Sequence, residues 1–336
     1  MQLSLRSLSP LLLLLPWLAV AERDTEPPPA RPSVGRSPWG PDDELGALNR
    51  MTDASRAAVL TRIAGGRVYD LGVEYFVGMP SWHVLGDPRF QYWLTHTPRG
   101  TAVDDPAGVG HDQNELVAYT GDAVSFYTHM GTHIDALNHF GLEGQIYNGF
   151  RADEHLGDRG WTKTGAETIP PIIARGVLID VAGAKREDGG ALPSSYGITV
   201  ADLKAALERQ RVKLAPGDVV LIRGGRMRAW PNDAAYVDNQ PGLTLEAAKW
   251  LAEEQQVLAI GGDNLSLEHF PVDDGSPTWV PVHTYLLAQA GVPIIEVVNL
   301  EELARDSVYE FAFLAASLKF RGASAAPFRP IALPLR

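Results

Sequence analysis

Residues 129–140 read His-Met-Gly-Thr-His-Ile-Asp-Ala-Leu-Asn-His-Phe. Four groups able to bind a cation or carry a proton stand at 129, 133, 135 and 139. Imidazole and carboxylate together suit Zn²⁺ or Mn²⁺, and a catalytic centre of this kind keeps one position open for water. All four positions are odd, so in an extended segment they share one face. A straight strand would hold His129 and His133 about 13 Å apart at ~3.3 Å per residue. Two ligands each ~2.0–2.1 Å from one ion barely reach across that gap. The chain is therefore expected to bend between them. Gly131 permits a bend without a side-chain clash, and its missing side chain would leave room for the ion. His133 and Asp135 are close enough to chelate together. A helix with His at i and i+4 is disfavoured, because Gly131 and Thr132 are poor helix formers. The competing reading is a polar loop whose histidines only cap buried backbone groups.

Other residues carry weaker signals. Glu296 sits among Ile294, Ile295, Val297 and Val298, where a carboxylate must be paired, protonated or metal-bound. A histidine such as His283, alone after Pro281-Val282, reads as structural or as a ligand. Trp82, Trp93, Phe126 and Phe140 are candidates to sandwich a flat ring. Arg223, Arg226 and Arg228 could orient a substrate carboxylate, although a solvated loop is the preferred reading. The chain has no cysteine, which excludes thiolate-held zinc, iron–sulfur clusters and disulfides. It shows no Gly-x-Ser-x-Gly elbow, P-loop or dinucleotide fingerprint. A net charge of −12 disfavours nucleic-acid and anionic-membrane partners, leaving a small-molecule substrate.

The elements that must position these groups are legible in outline. Thr52 caps a helix running to Ile63, stopped by Gly65-Gly66. Tyr69 to Val77 alternates as a strand. Gly78 to about Asp112, rich in Pro, Gly, His and Trp, reads as a long lid or active-site loop. Ala123 to Tyr127 is a strand running into the histidine segment. Further strands are expected at Gly176–Val181, Asp218–Arg223, Val257–Ile260, Ile294–Val298 and Tyr309–Ser317. Helices are expected at Thr199–Gln210, with Thr199 and Asp202 in capping-box positions, and at Thr244–Glu254. Short strands mixed with helices throughout give an α/β or α+β class.

The N-terminus reads as an address. Residues 1–21 combine Arg6, an apolar core from Leu11 and a small-x-small site at Ala19-Val20-Ala21, the pattern of a secretory signal. The apolar run falls short of the ~18–20 residues a membrane span needs. Residues 22–41 form a Pro-rich leader, and 42–336 a single catalytic domain. A secreted or periplasmic protein, with no membrane contact after signal removal, is expected.

At its histidine segment the sequence resembles the cyclase family of metal-dependent hydrolases (kynurenine formamidase- and isatin hydrolase-like), whose signature is His-x-Gly-Thr-His-x-Asp-x-Pro-x-His. His129, Gly131, Thr132, His133, Asp135 and His139 match, while Leu137 stands where many members have Pro. The resemblance continues in Ser37–Gly46, Gly78–Trp82, Ala259–Asp263, His283, Gly291–Glu296 and Pro330. It implies a swivelling β/β/α fold with a mixed sheet, commonly dimeric. It also implies that His129, His133 and Asp135 bind one metal and that Asp135 bridges to a second held by His283 and Glu296. His139 would be the general acid/base, with Trp82 in the substrate pocket. Beside the resemblance, Phe140 is a further candidate for the pocket wall, Thr132 a candidate to support the ligands, and Asp263 either supports them or, in the preferred reading, serves the turn at its strand end. The implied reaction is hydrolysis of a cyclic or aryl amide, imide or lactone, with one or two Zn²⁺ or Mn²⁺ generating hydroxide and His139 moving the proton. A lyase or dehydratase, or an exported protein binding metal or an aromatic acid without turnover, are the alternatives.

Overall fold

The computed structural model describes residues 31–336 apart from 187, 189, 273 and 274. The expected signal, 1–21, lies outside the described residues. The compact unit begins at Pro32. Residues assigned to the leader on composition are therefore tied to the domain. The Gly35 N–H donates to the Ala288 carbonyl at 2.9 Å. The Asn148 amide accepts from the Ser37 N–H and donates to the carbonyls of Gly40, Pro41 and Asp43.

A nine-stranded mixed sheet organises the unit. In chain order its strands are β1 (Tyr69–Asp70), β2 (His133–Asp135), β3 (Ile172–Asp180), β4 (Val219–Arg223), β5 (Ala259–Gly262), β6 (Ile294–Glu296), β7 (Glu310–Ala315), β8 (Ala325–Pro327) and β9 (Ile331–Pro334). Their spatial order is β1-β9-β7-β3-β4-β5-β6-β2-β8. The central four, β3 to β6, are parallel. Strands β1, β9 and β7 add antiparallel on one side, and β2 and β8 on the other. Parallel neighbours require crossovers, and each crossover carries a helix. Val200–Gln210 links β3 to β4, and Leu245–Lys249, continuing with π-helical bonding through Glu254, links β4 to β5. Pro281–His283, continuing through Thr284–Ala290, links β5 to β6.

The parallel strands are apolar on both faces, as strands covered on both sides must be. Val177, Ile179, Val220 and Ile222 pack with Leu203, Leu207, Leu251 and Leu286. Their sequence neighbours Leu178, Val219 and Leu221 pack on the other face with Tyr69, Ile134, Phe311 and Phe313. This period-2 partition accounts for the hydrophobic runs in the sequence. The expected mixed α/β class is the observed one.

Two expected elements differ. Only Tyr69–Asp70 of the strand expected over 69–77 pairs. Beyond it the chain leaves the sheet to brace the histidine segment. The Val73 N–H donates to Thr132 Oγ1 at 3.0 Å, and the Tyr75 hydroxyl reaches the Met130 and Thr132 carbonyls, each at 2.9 Å. The stretch 78–112, expected as one loop, holds a strand at Gln91–His96 paired with Gly121–Ser125. It also holds helices at Pro98–Asp104 and His111–Leu116. Thr97 caps the first of these and Pro98 opens it, a start signal that the surrounding composition masked. No helix among the described residues is long and apolar enough to cross a membrane.

Candidate metal centre

The site is built where β2 meets β6. In that antiparallel pair His133 stands opposite Glu296, and Asp135 opposite Ile294. His129 reaches the same point because the chain turns at Gly131, whose φ is +59°. The expected bend is therefore present, and the His129 and His133 ring centroids are 5.4 Å apart. The space beside Gly131 is used differently from the expectation. A Cβ there would meet the Tyr75 ring at 2.5 Å, so the missing side chain admits Tyr75 rather than an ion. Thr132 fixes the adjacent backbone. Its hydroxyl donates to the Val297 carbonyl at 2.6 Å while accepting from Val73, which ties the turn to the residue after Glu296.

Six side chains converge. Asp135 Oδ1 is 2.8 Å from His129 Nδ1 and 3.4 Å from His133 Nε2, and its Oδ2 is 3.8 Å from His283 Nε2. Glu296 lies 3.3 Å from His133 Nε2 and 3.2 Å from His283 Nε2. His139 stacks on His129 with ring centroids 3.8 Å apart. Two triads, His129/His133/Asp135 and Asp135/His139/His283, each bring their donor atoms within 4.8 Å of one another. Asp135 belongs to both, the position a bridging carboxylate would take. His139 belongs to the second, so its geometry suits a ligand as well as a base.

The donor set fits a divalent cation. His133 Nε2, both Asp135 oxygens and Glu296 Oε1 are buried without a hydrogen-bond partner, and groups so buried are ordinarily satisfied. The outer ring nitrogens are committed elsewhere. His133 Nδ1 lies 2.8 Å from the Gly131 carbonyl, His283 Nδ1 2.6 Å from Glu268 Oε1, and His129 Nε2 2.8 Å from Ser324 Oγ. A ring N–H donated outward leaves the opposite nitrogen with its lone pair facing the cluster.

The cluster is electrostatically tense. Burial opposes charge on His133, but the adjacent Asp135 and Glu296 carboxylates push it up to about 10. Burial likewise opposes charge on His283, yet Glu268 and Glu296 raise it well above the ordinary value. Burial also acts against ionised Asp135, and the neighbouring His139 and His129 still hold it well below the usual range. His139 goes the other way. Burial, then the proximity of His129, holds it well below an ordinary histidine, against the pull of Asp135.

Sequence reasoning missed Glu268. It is fully buried, accepts from the backbone N–H groups of Val282 and His283, and holds the His283 ring. Its only sequence signal is a carboxylate in the largely apolar run 265–272. Asp263, read either as supporting the ligands or as a strand-end turn residue, does the latter. Its carboxylate accepts the N–H groups of Gly224, Gly225 and Arg226 at 2.7–2.9 Å, which fixes the turn after β4. Burial still lifts it to about 6, against those donors.

A cavity of about 170 Å³ opens onto the cluster. Trp82 and Phe140 line it as expected, joined by Phe270, Trp279, Tyr127 and Asp87. Trp93 and Phe126 do not line it. Trp93 lies on the exposed strand Gln91–His96, and Phe126 packs with Tyr75 and Phe90. The solvated-loop reading of the arginines also fails in part, because Arg223 and Arg226 are buried. Arg223 pairs with Asp180 and Glu301, and Arg226 donates to the Tyr236 and Asp238 carbonyls. Neither lines the cavity.

Comparison with known proteins agrees with this geometry. The sequence model of a family described as putative cyclase matches residues 69–269. The chain is 24% identical over 269 residues to Cyclase-like protein 3 of Oryza sativa subsp. japonica, covering 80% of each protein. A crystal structure described as a novel cyclase superimposes with a TM-score of 0.77 at 29% identity, over 90% of this chain and 100% of that one. Isatin hydrolase A from Ralstonia solanacearum shares the fold, with a TM-score of 0.59 at 24% identity over 80% of this chain and 92% of that one.

Proposed function

The chain belongs to the cyclase family, and on that footing we propose that it is a metal-dependent hydrolase opening a cyclic or aryl amide, imide or lactone. The observation that carries this reading is the convergence of four buried, unpartnered donor atoms from His133, Asp135 and Glu296 in a cluster whose Glu296, His129, His139 and His283 line an aromatic cavity. His129, His133 and Asp135 would hold one ion, Zn²⁺ or Mn²⁺. His283 and Glu296, with Asp135 between them, would hold a second. Such an ion supplies Lewis acidity toward a carbonyl oxygen and lowers the pKa of water from 15.7 to about 7.

The chain's own residues do the rest. His139 is neutral, because burial disfavours its charged form, so it is in the state a proton acceptor needs. One of its ring nitrogens lies within 4.8 Å of the Asp135 and His283 donor atoms. There it takes the proton of the attacking water and returns it to the leaving nitrogen or oxygen. Trp82 and Phe140 supply apolar walls for a flat ring and shed water as it enters. Among the described residues no Lys or Arg lines the cavity, so a substrate held by a remote anionic group is disfavoured.

The test is His139→Ala, assayed on a panel of cyclic imides, lactams and aryl formamides, with metal content measured beside it. Retained metal with turnover reduced roughly 10²–10⁴-fold is expected. Full activity would overturn the assignment of the base, and lost metal would make His139 a ligand.

A further inference from the structure

The metal cluster does not account for every polar group on the cavity wall. Asp87 and Tyr127 also line it, and neither has a hydrogen-bond or ion-pair partner among the described residues. Of the other polar wall groups outside the cluster, Trp82 and Ser266 are committed, while the indole N–H of the largely exposed Trp279 is not. Trp82 Nε1–H donates to the Leu265 carbonyl at 3.3 Å, and Ser266 Oγ–H to the Glu268 carbonyl at 2.7 Å. Among the described residues Asp87 is thus the one carboxylate lining the wall outside the cluster, and no Lys or Arg lines it there.

An apolar ring seated against Trp82 and Phe140 would strip water from Asp87. A carboxylate desolvated without a donor is costly, so a ligand that fits must bring the donor itself. We propose that Asp87 selects the substrate by accepting a hydrogen bond from an amino group or ring N–H on an aromatic compound. This rests on the hydrolase reading above and narrows it to nitrogen-bearing aromatics. Tyr127 complements Asp87. Its phenol stands on the same wall and offers a donor able to meet a ligand oxygen. Burial already raises the Asp87 carboxyl, with His129 and His83 opposing.

The experiment uses the metal-loaded full chain and calorimetric titration with benzoate and its 2-, 3- and 4-amino derivatives. These are probes whose carboxylate resembles a hydrolysis product. At least one aminobenzoate should bind about tenfold tighter than benzoate, the size of one charge-assisted hydrogen bond. That advantage should vanish in Asp87→Leu while metal content stays unchanged. Asp87→Asn, which keeps the shape and removes the charge, should retain only part of it. Equal binding of all four probes to the wild type, or an advantage that survives Asp87→Leu, overturns the role of Asp87 and leaves the hydrolase reading standing. Binding of none of the probes overturns both.

Discussion

His133 and Glu296 are direct partners across the antiparallel strands β2 and β6, and their side chains meet at 3.3 Å between Nε2 and the carboxylate. Strand pairing thus joins residues far apart in the sequence into one donor set. Glu296→Gln should preserve the sheet, because the pairing is made by backbone groups, yet remove a charged donor facing both His133 and His283. Metal affinity should fall roughly tenfold or more, within the 10–100-fold range typical even of outer-sphere changes. Competition with a chromogenic chelator reads it, and unchanged affinity would remove Glu296 from the site.

Glu268 acts through His283. It holds Nδ1 and both backbone N–H groups at the start of the helix that carries the ring. Glu268→Gln should weaken metal binding by roughly 10–100-fold. Glu268→Ala should in addition lose about 1–3 kcal/mol of stability per buried donor left unpaired. Metal titration and urea unfolding separate the two effects. Equal stability of both variants and the wild type would show that Glu268 does not anchor the helix.

How much of this was legible in the sequence follows from what each signal encodes. The helix at Val200–Gln210 was readable because its capping box and apolar face are local, and both are present. The bend at Gly131 was readable from ligand reach alone. Glu296 stood out because a charge in an apolar strand demands a partner, but the identity of that partner depends on pairing to β2. Glu268 left only the faint signal of a carboxylate in an apolar run and Asp87 none, because their meaning lies in which distant segments face them. The strand expected over 69–77 failed for a related reason. Val73 and Tyr75 are drawn to Thr132 and Met130 by side-chain hydrogen bonds that alternation does not report. Arg223 and Arg226 read as solvated because their partners Asp180, Glu301 and the 236–238 carbonyls are remote in the sequence.

Gly131 combines a left-handed φ of +59° with the Tyr75 ring packed where a Cβ would go. Gly131→Ala should destabilise by more than about 1 kcal/mol, seen as a lower melting temperature. Tyr75→Ala added to it should recover only the steric part and leave the backbone strain. Wild-type stability in the single variant would contradict the turn geometry.

The N-terminal segment carries a pH dependence. Burial opposes ionisation of Asp43, but the Ser37 hydroxyl, the Leu45 and Gly46 N–H groups and the Asn49 amide hold its pKa below 3.8. A depressed native pKa contributes stability above the unfolded value and loses it as pH falls through the native one. Asp43→Asn should therefore be less stable than the wild type at pH 7, and the gap should close as pH drops below 3.8. Denaturant midpoints at neutral and acid pH check this, and a gap that widens on acidification would reverse the sign.

The central claim is that β2, β6 and the Gly131 turn build a metal site. Elemental mass spectrometry of the chain purified without chelator, beside His133→Ala, tests it most directly. The account predicts one or two zinc or manganese ions per wild-type chain and a clear loss in the variant. A wild-type chain that takes up neither metal, even when Zn²⁺ or Mn²⁺ is added, would contradict it and leave the histidine cluster a structural network.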